Sequence, residues 1–163
     1  PKTLFPMAII QEGLYKQTIV FLLLMAFLIV YGYMPSLNWF WLIPIVFVYY
    51  LMIVACSFVG AVLVCFMRDF SMLIPLGMIF LMFTSGIFWN VRTLDNPAMT
   101  EAILTYNPIA FILDAFRQVL MFDSSPDLPG LAFNALVFGV FLITMVFVIR
   151  KFSQLLALKA LTA

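Results

Sequence analysis

The placement of the charged residues constrains this chain more than any other feature. No Asp, Glu, Lys or Arg occurs in residues 17–67, 70–91 or 128–149. A bilayer core of about 30 Å is crossed by about 20 helical residues. The two shorter stretches have 22 residues each and fit one span, whereas the first has 51 and fits two spans joined by a turn. The sequence therefore predicts four membrane-spanning helices.

The composition agrees with this prediction. Hydrophobic residues make up 66% of the chain and charged residues 9%, against about 45–50% and about 25% in soluble domains. We expect an all-α, polytopic membrane protein with four spans and two short helices at its external side. The predicted spans are residues 18–34, 40–67, 70–89 and 131–149.

Turn-forming residues separate the predicted spans. Pro35, Asn38 and their neighbours supply an uncharged turn between the first two spans. Arg68 and Asp69 form a very short charged turn between the second and third, which makes these two spans an antiparallel hairpin.

The lysines and arginines predict the orientation. If both ends of the chain are cytoplasmic, six of the eight positive residues lie inside, Lys2 and Lys159 among them. Only Arg92 and Arg117 then lie outside. This distribution is the one that the positive-inside rule favours.

Two short helices are predicted between the last two spans. Asn96-Pro97 and Asn107-Pro108 each place an N-capping side chain before a proline at the first helical position. The first helix must end before the second proline. The predicted helices cover residues 97–106 and 108–122.

The second short helix is amphipathic and too short to cross a bilayer. Asp114, Arg117 and Gln118 lie opposite its apolar side chains. We expect the helix to lie in the interface or to re-enter the membrane, with an Asp114–Arg117 pair lowering the cost of insertion. Arg117 has a second interpretation, which is contact with a lipid or substrate phosphate. The apolar side chains are Ile112, Phe116, Val119 and Leu120.

Most enzyme chemistry has no counterpart in this sequence. It contains no histidine, P-loop, G-x-S-x-G, H-E-x-x-H or C-x-x-C motif. Cys56 and Cys65 lie too far apart on one helix to pair. Asp123 and Asp127 are interpreted as a solvated turn rather than an active site. We predict no catalytic, cofactor-binding or metal-binding residues, and no basic patch for nucleic acid.

The predicted spans also lack the ionisable residues that ion-coupled transporters keep within the membrane. If the protein moves a substrate, the energy therefore enters through a partner subunit. Aromatic residues make up 17% of the chain, and two interpretations stay open for them. They face lipid and form an interfacial belt, or they line a path along which sugar rings stack.

The chain resembles the C-terminal part of permease subunits of type-2 ABC exporters, in the polysaccharide-export group. The resemblance rests on Phe66-Met67-Arg68-Asp69-Phe70, on Tyr106-Asn107-Pro108-Ile109, on Arg117 and, more weakly, on Leu4-Phe5-Pro6. These motifs are short, but their order relative to the spans matches that family. Since such permeases have six spans, we expect the chain to be truncated at its N-terminus.

The resemblance implies partners and a location. Such permeases are homodimers in the bacterial cytoplasmic membrane, each half binds a separate ATP-binding-cassette ATPase, and the cargo is a lipid-linked polysaccharide. It also implies that Arg68 and Asp69 act in coupling, although a purely topological turn explains them as well. Asn107, Pro108, Asp114 and Arg117 are expected in an external gate. Three alternatives remain: a drug or lipid exporter, a non-transporting anchor, and a membrane-embedded glycan transferase.

Overall fold

The computed structural model describes the backbone of residues 4–151 and the side chains of residues 11–151. All regular secondary structure in this part of the chain is helical, without strands, which confirms the expected all-α membrane protein. Lys2 and Lys159 lie outside the described residues, as do the side chains of the Leu4-Phe5-Pro6 motif. The helices are α1 (Leu4–Val30), α2 (Leu42–Phe66), α3 (Phe70–Thr84), α4 (Pro97–Tyr106), α5 (Pro108–Leu120) and α6 (Leu128–Lys151).

The first two long helices meet at the predicted turn. Gly32, with a φ of +94°, ends the turn that follows α1, because this backbone conformation suits a residue without a Cβ. A 3-10 helix at Leu37–Trp41 leads directly into α2. α1 begins well before the predicted span and runs as one helix through the charged pair Glu12 and Lys16, whose side chains are 2.8 Å apart.

The third predicted span is shorter than expected. α3 ends at Thr84, not near Trp89, and its 15 residues reach about 22 Å. Gly86 adopts a φ of +77°, and the chain turns away from the helix there. In the described part of the chain, three helical stretches are long and apolar enough to cross a membrane: Gln11–Val30, Leu37–Phe66 and Leu128–Lys151. A fourth span stays a prediction.

The core lies where α5 meets the first turns of α2 and α6. α2 and α6 make the most extensive helix–helix contact of the described chain. α5 buries its apolar face against both of them; the sequence predicted which face is apolar, but not that other helices of the chain cover it. The buried cluster consists of Ile45, Val48, Met52, Phe111, Ile112, Ala115, Val119 and Leu131.

Outside this core the long helices leave most of their apolar surface uncovered. α3 buries no residue at all and touches α2 where Ile74 lies against Gly60. Such surfaces are costly in water but not in hydrocarbon, where only polar groups need partners. The exposed apolar helices are therefore what a multi-pass membrane protein presents to lipid or to further protein.

Candidate functional site

The two short helices form a hairpin whose N-caps follow the prediction. The Asn96 side chain accepts hydrogen bonds from the backbone N–H groups of Ala98 and Met99. The Asn107 side chain does the same for Ile109 and Ala110. Each proline occupies the first helical position, where its missing N–H costs nothing. The sequence therefore located both helix starts correctly.

Asp114 of α5 is held by a residue from the segment that precedes the hairpin. Arg92 Nε and Nη2 donate to the two oxygens of the Asp114 carboxylate, each at 2.8 Å. Gln118 Nε2 adds a third hydrogen bond at 2.7 Å. The Asp114 side chain is only 9% exposed, whereas that of Arg92 is half exposed. This two-pronged geometry is the strong form of an arginine–carboxylate pair, and it raises the pKa of Arg92 chiefly through the Asp114 hydrogen bonds.

The predicted pair of Asp114 with Arg117 is therefore wrong. Both residues lie on α5, three positions apart, yet each bonds to the segment between α3 and α4 instead. The physical reason is that Arg92 offers both prongs of its guanidinium to the carboxylate, while Arg117 finds several backbone acceptors of its own. Arg117 donates to three protein carbonyls, and its contact with a lipid or substrate phosphate stays a prediction.

Arg117 binds the backbone where α3 ends. Its Nη2 donates to the carbonyl of Gly86 at 2.7 Å and of Ile87 at 3.2 Å, and its Nη1 to that of Trp89 at 3.2 Å. A positive side chain there satisfies carbonyls that no helix partner reaches and complements the helix dipole. A Cβ on Gly86 would lie 2.7 Å from Val91 Cγ2 and 3.0 Å from the Trp89 carbonyl, so this loop needs glycine for space as well as for its φ.

The two arginines thus act in opposite directions across one interface. Arg92 reaches from the α3–α4 segment to α5, and Arg117 reaches from α5 to that segment. We call this arrangement, with Asp114 and Gln118, the arginine clasp. It fixes the end of α3 against the hairpin through five charge-assisted hydrogen bonds.

A second polar contact fastens the loop after α5. Asp123 accepts a hydrogen bond from the Ser36 hydroxyl and another from Asn38 Nδ2, the latter at 2.9 Å. Asn38 Nδ2 also donates to the Asp123 carbonyl at 2.8 Å. These bonds lower the pKa of the Asp123 carboxyl, with the Ser36 bond the larger cause. We call this contact the loop latch. Asp123 is exposed in a loop, as the solvated-turn interpretation expects, and the latch adds a contact that the sequence did not predict.

α5 lies within the helix bundle. The Phe116 ring packs 6.0 Å from that of Phe21 in α1 and 6.3 Å from that of Tyr49 in α2, measured between centroids. Tyr49 lies two turns into α2, and Phe21 lies nine residues before the end of α1. The hairpin therefore extends well below the level of the connecting loops.

The expected site residues fall into two groups. Asn107, Pro108, Asp114 and Arg117 all belong to the hairpin, where Asn107 is 9% exposed and its Nδ2 atom has no hydrogen-bond partner. Arg68 and Asp69 form the predicted tight turn between α2 and α3. α2 has 25 residues and is therefore about 37 Å long. This turn lies at its C-terminal end, whereas the hairpin packs near its N-terminal end.

Arg92, Gly86 and the loop latch were not found from the sequence. One signal was present for Arg92, because it and Arg117 are the only positive residues between Asp69 and Arg150. A buried acid in that region had few partners to choose from. In the described part of the chain, no group of three or more acidic or cysteine side chains could hold a metal ion, and both cysteines are free thiols.

The comparisons with known proteins fit this architecture. The chain is 31% identical over 127 residues to an O-antigen export system permease protein RfbA of Klebsiella pneumoniae, and 29% identical over 127 residues to a second protein of that name from the same organism. Each alignment covers 74% of this chain and 48% of the relative. The chain thus spans about half the length of these relatives. No solved structure gives a significant match.

The family comparison covers α1 to α5. The sequence profile described as ABC-2 type transporter matches residues 6–121, which is most of the chain and includes the whole hairpin. With this match and its membrane-spanning helices, the protein belongs to the ABC-2 type transporter family.

Proposed function

We propose that this chain is part of the permease of an ATP-driven exporter that moves a lipid-linked polysaccharide across the bacterial cytoplasmic membrane. The cargo is of the O-antigen, capsule or teichoic-acid type. The observation that carries this proposal is the similarity to O-antigen export permeases across the helices that build the hairpin. Both ends of the described chain lie on the cytoplasmic side in this proposal.

The energy comes from a separate ATP-binding-cassette subunit. The described residues of the long helices include no buried carboxylate or amine that could bind a coupling ion, and the buried Asp114 of α5 is already paired with Arg92 and Gln118. A permease without such groups needs work from a partner. Two copies of the permease would enclose the path, and no nucleic acid or cofactor takes part.

The hairpin of α4 and α5 acts as the external gate. Its support is mechanical: α5 is too short to span the membrane, packs inside the bundle, and is fastened by side-chain contacts rather than by a continuous helix. Asn107 and Pro108 form the bend of the hairpin, and Asp114 and Arg117 hold it against the end of α3.

Arg68 and Asp69 lie at the cytoplasmic turn in this proposal. Both residues are exposed, and in this proposal an ATPase subunit contacts the turn that they form. The same charged turn keeps the α2–α3 hairpin in its orientation. Substitution of Asp69 by Asn would weaken ATPase binding if the coupling role holds, and would leave it unchanged if the turn is topological.

The test uses the full-length permease, reconstituted with its ATPase subunit in liposomes that contain the lipid-linked glycan. We expect the glycan to become accessible to a lectin on the far side only with ATP. An ATPase variant that lacks the P-loop lysine serves as the control. Transfer of drugs or simple lipids but not glycan would favour the alternative exporter. The absence of both transport and a bound ATPase would favour a non-transporting anchor. Chemical modification of the glycan without transport would favour a membrane-embedded glycan transferase.

The gate is tested separately through the loop latch. Cysteines at Ser36 and Asp123, in a background without Cys56 and Cys65, are joined by a short bifunctional thiosulfonate. We expect transport to stop and to recover when a reductant cleaves the link. Unchanged transport by the linked protein would contradict the gate while leaving the transport proposal intact.

A further inference from the structure

A cavity of about 680 Å³, lined by both apolar and polar side chains, lies beside the arginine clasp, between the hairpin and the start of α6. This volume is within the range of roughly 300–1,000 Å³ typical of small-molecule sites. The clasp forms one part of the wall through Arg92, Asp114 and Gln118. The rest comes from α4, from the start of α6 and the residues just before these two helices, and from Phe111 and Ala115 of α5. These three residues of the clasp therefore also face an open cavity, in addition to the hydrogen bonds that they make with one another.

Two carboxylates in the wall have no hydrogen-bond donor among the described residues. Glu101 projects from α4, and Asp127 precedes α6; both are exposed and line the cavity. Gly130 keeps room for Asp127, because a Cβ there would lie 2.5 Å from Asp127 Oδ2 and 2.7 Å from the Phe111 ring. The cavity thus offers hydrogen-bond acceptors from two directions.

Donors and an apolar surface complete the wall. Arg92 is half exposed, and Thr105 adds a hydroxyl. Asn134 adds an amide, one N–H of which donates to the Gly130 carbonyl at 2.9 Å. Phe133, on the first turns of α6, is 63% exposed and also lines the cavity. Carboxylates and amides beside a free aromatic face suit a ring that carries hydroxyl groups around its edge and C–H groups on its face.

Other ligand classes fit less well. The wall contains three acidic residues and one basic residue, so an anionic lipid headgroup or a phosphate would be repelled. No metal-holding group of side chains occurs in the described chain. An apolar molecule would leave the carboxylates without water and without partners, which is costly.

We propose that this cavity binds uncharged sugar residues of the exported glycan next to the gate. Because the glycan is the cargo of the proposed function, the inference rests on that function. Glu101 and Asp127 accept hydrogen bonds from vicinal hydroxyls, Arg92 and Asn134 donate to ring or hydroxyl oxygens, and Phe133 packs on the C–H face. Sugar bound here lies in contact with Asp114 and therefore with the clasp that fixes the hairpin.

The test measures binding of the organism's own polysaccharide, released from its lipid by mild acid, to the full-length permease in detergent. Isothermal titration calorimetry compares the wild type with a Glu101→Ala/Asp127→Ala variant and with Phe133→Ala. We expect at least a tenfold loss of affinity in each. The matched controls are Asp95→Ala, an exposed acid before α4, and Phe141→Ala, an exposed phenylalanine further along α6; neither lines the cavity. Both controls should bind as the wild type does.

Equal affinity of the wild type and the cavity variants would overturn the inference. So would a loss of binding when KCl is raised from 20 to 500 mM, because salt screens a cationic ligand held by carboxylates but not hydrogen bonds to neutral hydroxyls. Transport in liposomes separates the two proposals. If the wild type exports glycan but the cavity variants bind it as tightly as the wild type does, only the sugar site is refuted. If the cavity binds glycan specifically but the wild type does not export it, only the transport proposal is refuted.

Discussion

α3 and α5 have nearly the same length, 15 and 13 residues, but opposite environments. α3 contains only apolar residues and Ser, Thr, Gly and Pro, yet none of its side chains is buried. α5 carries Asp114, Arg117 and Gln118 and buries seven residues. Hydrophobicity therefore did not decide which helix occupies the core.

The difference follows from what each helix needs in a membrane. An apolar helix satisfies its own backbone and leaves its side chains in lipid at little cost. An amphipathic helix has no such option, because its polar side chains require partners. α5 obtains them from the arginine clasp, and its apolar face is then buried against α2 and α6. The pairing of a few polar groups positions the most buried helix of the structure.

The largest expected difference comes from replacing an isoleucine by alanine in each of the two helices. Ile112 in α5 is 3% exposed and Ile79 in α3 is 50% exposed. Ile112→Ala should lower the free energy of unfolding by about 2–5 kcal/mol, because it leaves a cavity in the core. Ile79→Ala should change it by less than about 0.5 kcal/mol. Denaturant titration in detergent micelles measures both. Equal effects would mean that a partner covers α3 or that the α5 packing is wrong.

The clasp should contribute the next largest effect. Asp114→Ala leaves the Arg92 guanidinium and the Gln118 amide without their acceptor. Because Arg92 is half exposed and water compensates in part, we expect a loss of about 2 kcal/mol. The control Asp95→Ala removes an exposed acid outside the clasp and should cost below about 0.5 kcal/mol. The same titration compares them, and an Asp114→Ala protein as stable as the control would refute the clasp.

The N-cap of α5 gives a smaller effect. Asn107→Ala removes the oxygen that accepts from Ile109 and Ala110, and should cost about 1 kcal/mol. Asn107→Ser keeps a capping oxygen and removes the Nδ2 atom, which is buried without a partner. We therefore expect the serine variant to retain most of the stability. Thermal unfolding followed by circular dichroism ranks the wild type and the two variants by unfolding temperature. A lower unfolding temperature for the serine variant than for the alanine variant would contradict the capping role.

The loop latch should show the smallest effect and a dependence on pH. The pKa of Asp123 in the folded protein lies below its ordinary value of 3.8. Its contribution to stability is therefore complete above that value and is lost as the pH falls through the lower, folded-state pKa. The difference in unfolding temperature between wild type and Asp123→Asn should be constant from pH 5 to 7 and narrow below pH 3.8. A difference that grows on acidification would contradict the latch, and Asp95→Asn serves as the control.

Local chemistry was predictable from the sequence, and partner choice was not. The Asn-Pro pairs located both helix starts because capping involves residues within three positions. The charged turn after α2 and the amphipathic face of α5 followed in the same way. The end of α3 and the partner of Asp114 were mispredicted, since both depend on Arg92, Arg117 and a glycine loop that meet only after folding.

The sequence by itself determined that this protein is a helical membrane protein, where α3 and the two short helices begin, and which face of α5 is apolar. These properties depend on the bilayer thickness and on periodicity, both of which act along the chain. Only the tertiary structure decided that α5 lies inside the bundle, that two arginines fasten it to the end of α3, and that a cavity forms beside them. Side chains 22 to 31 positions apart meet in those contacts, and many pairings of the same charges are compatible with one sequence until the helices pack.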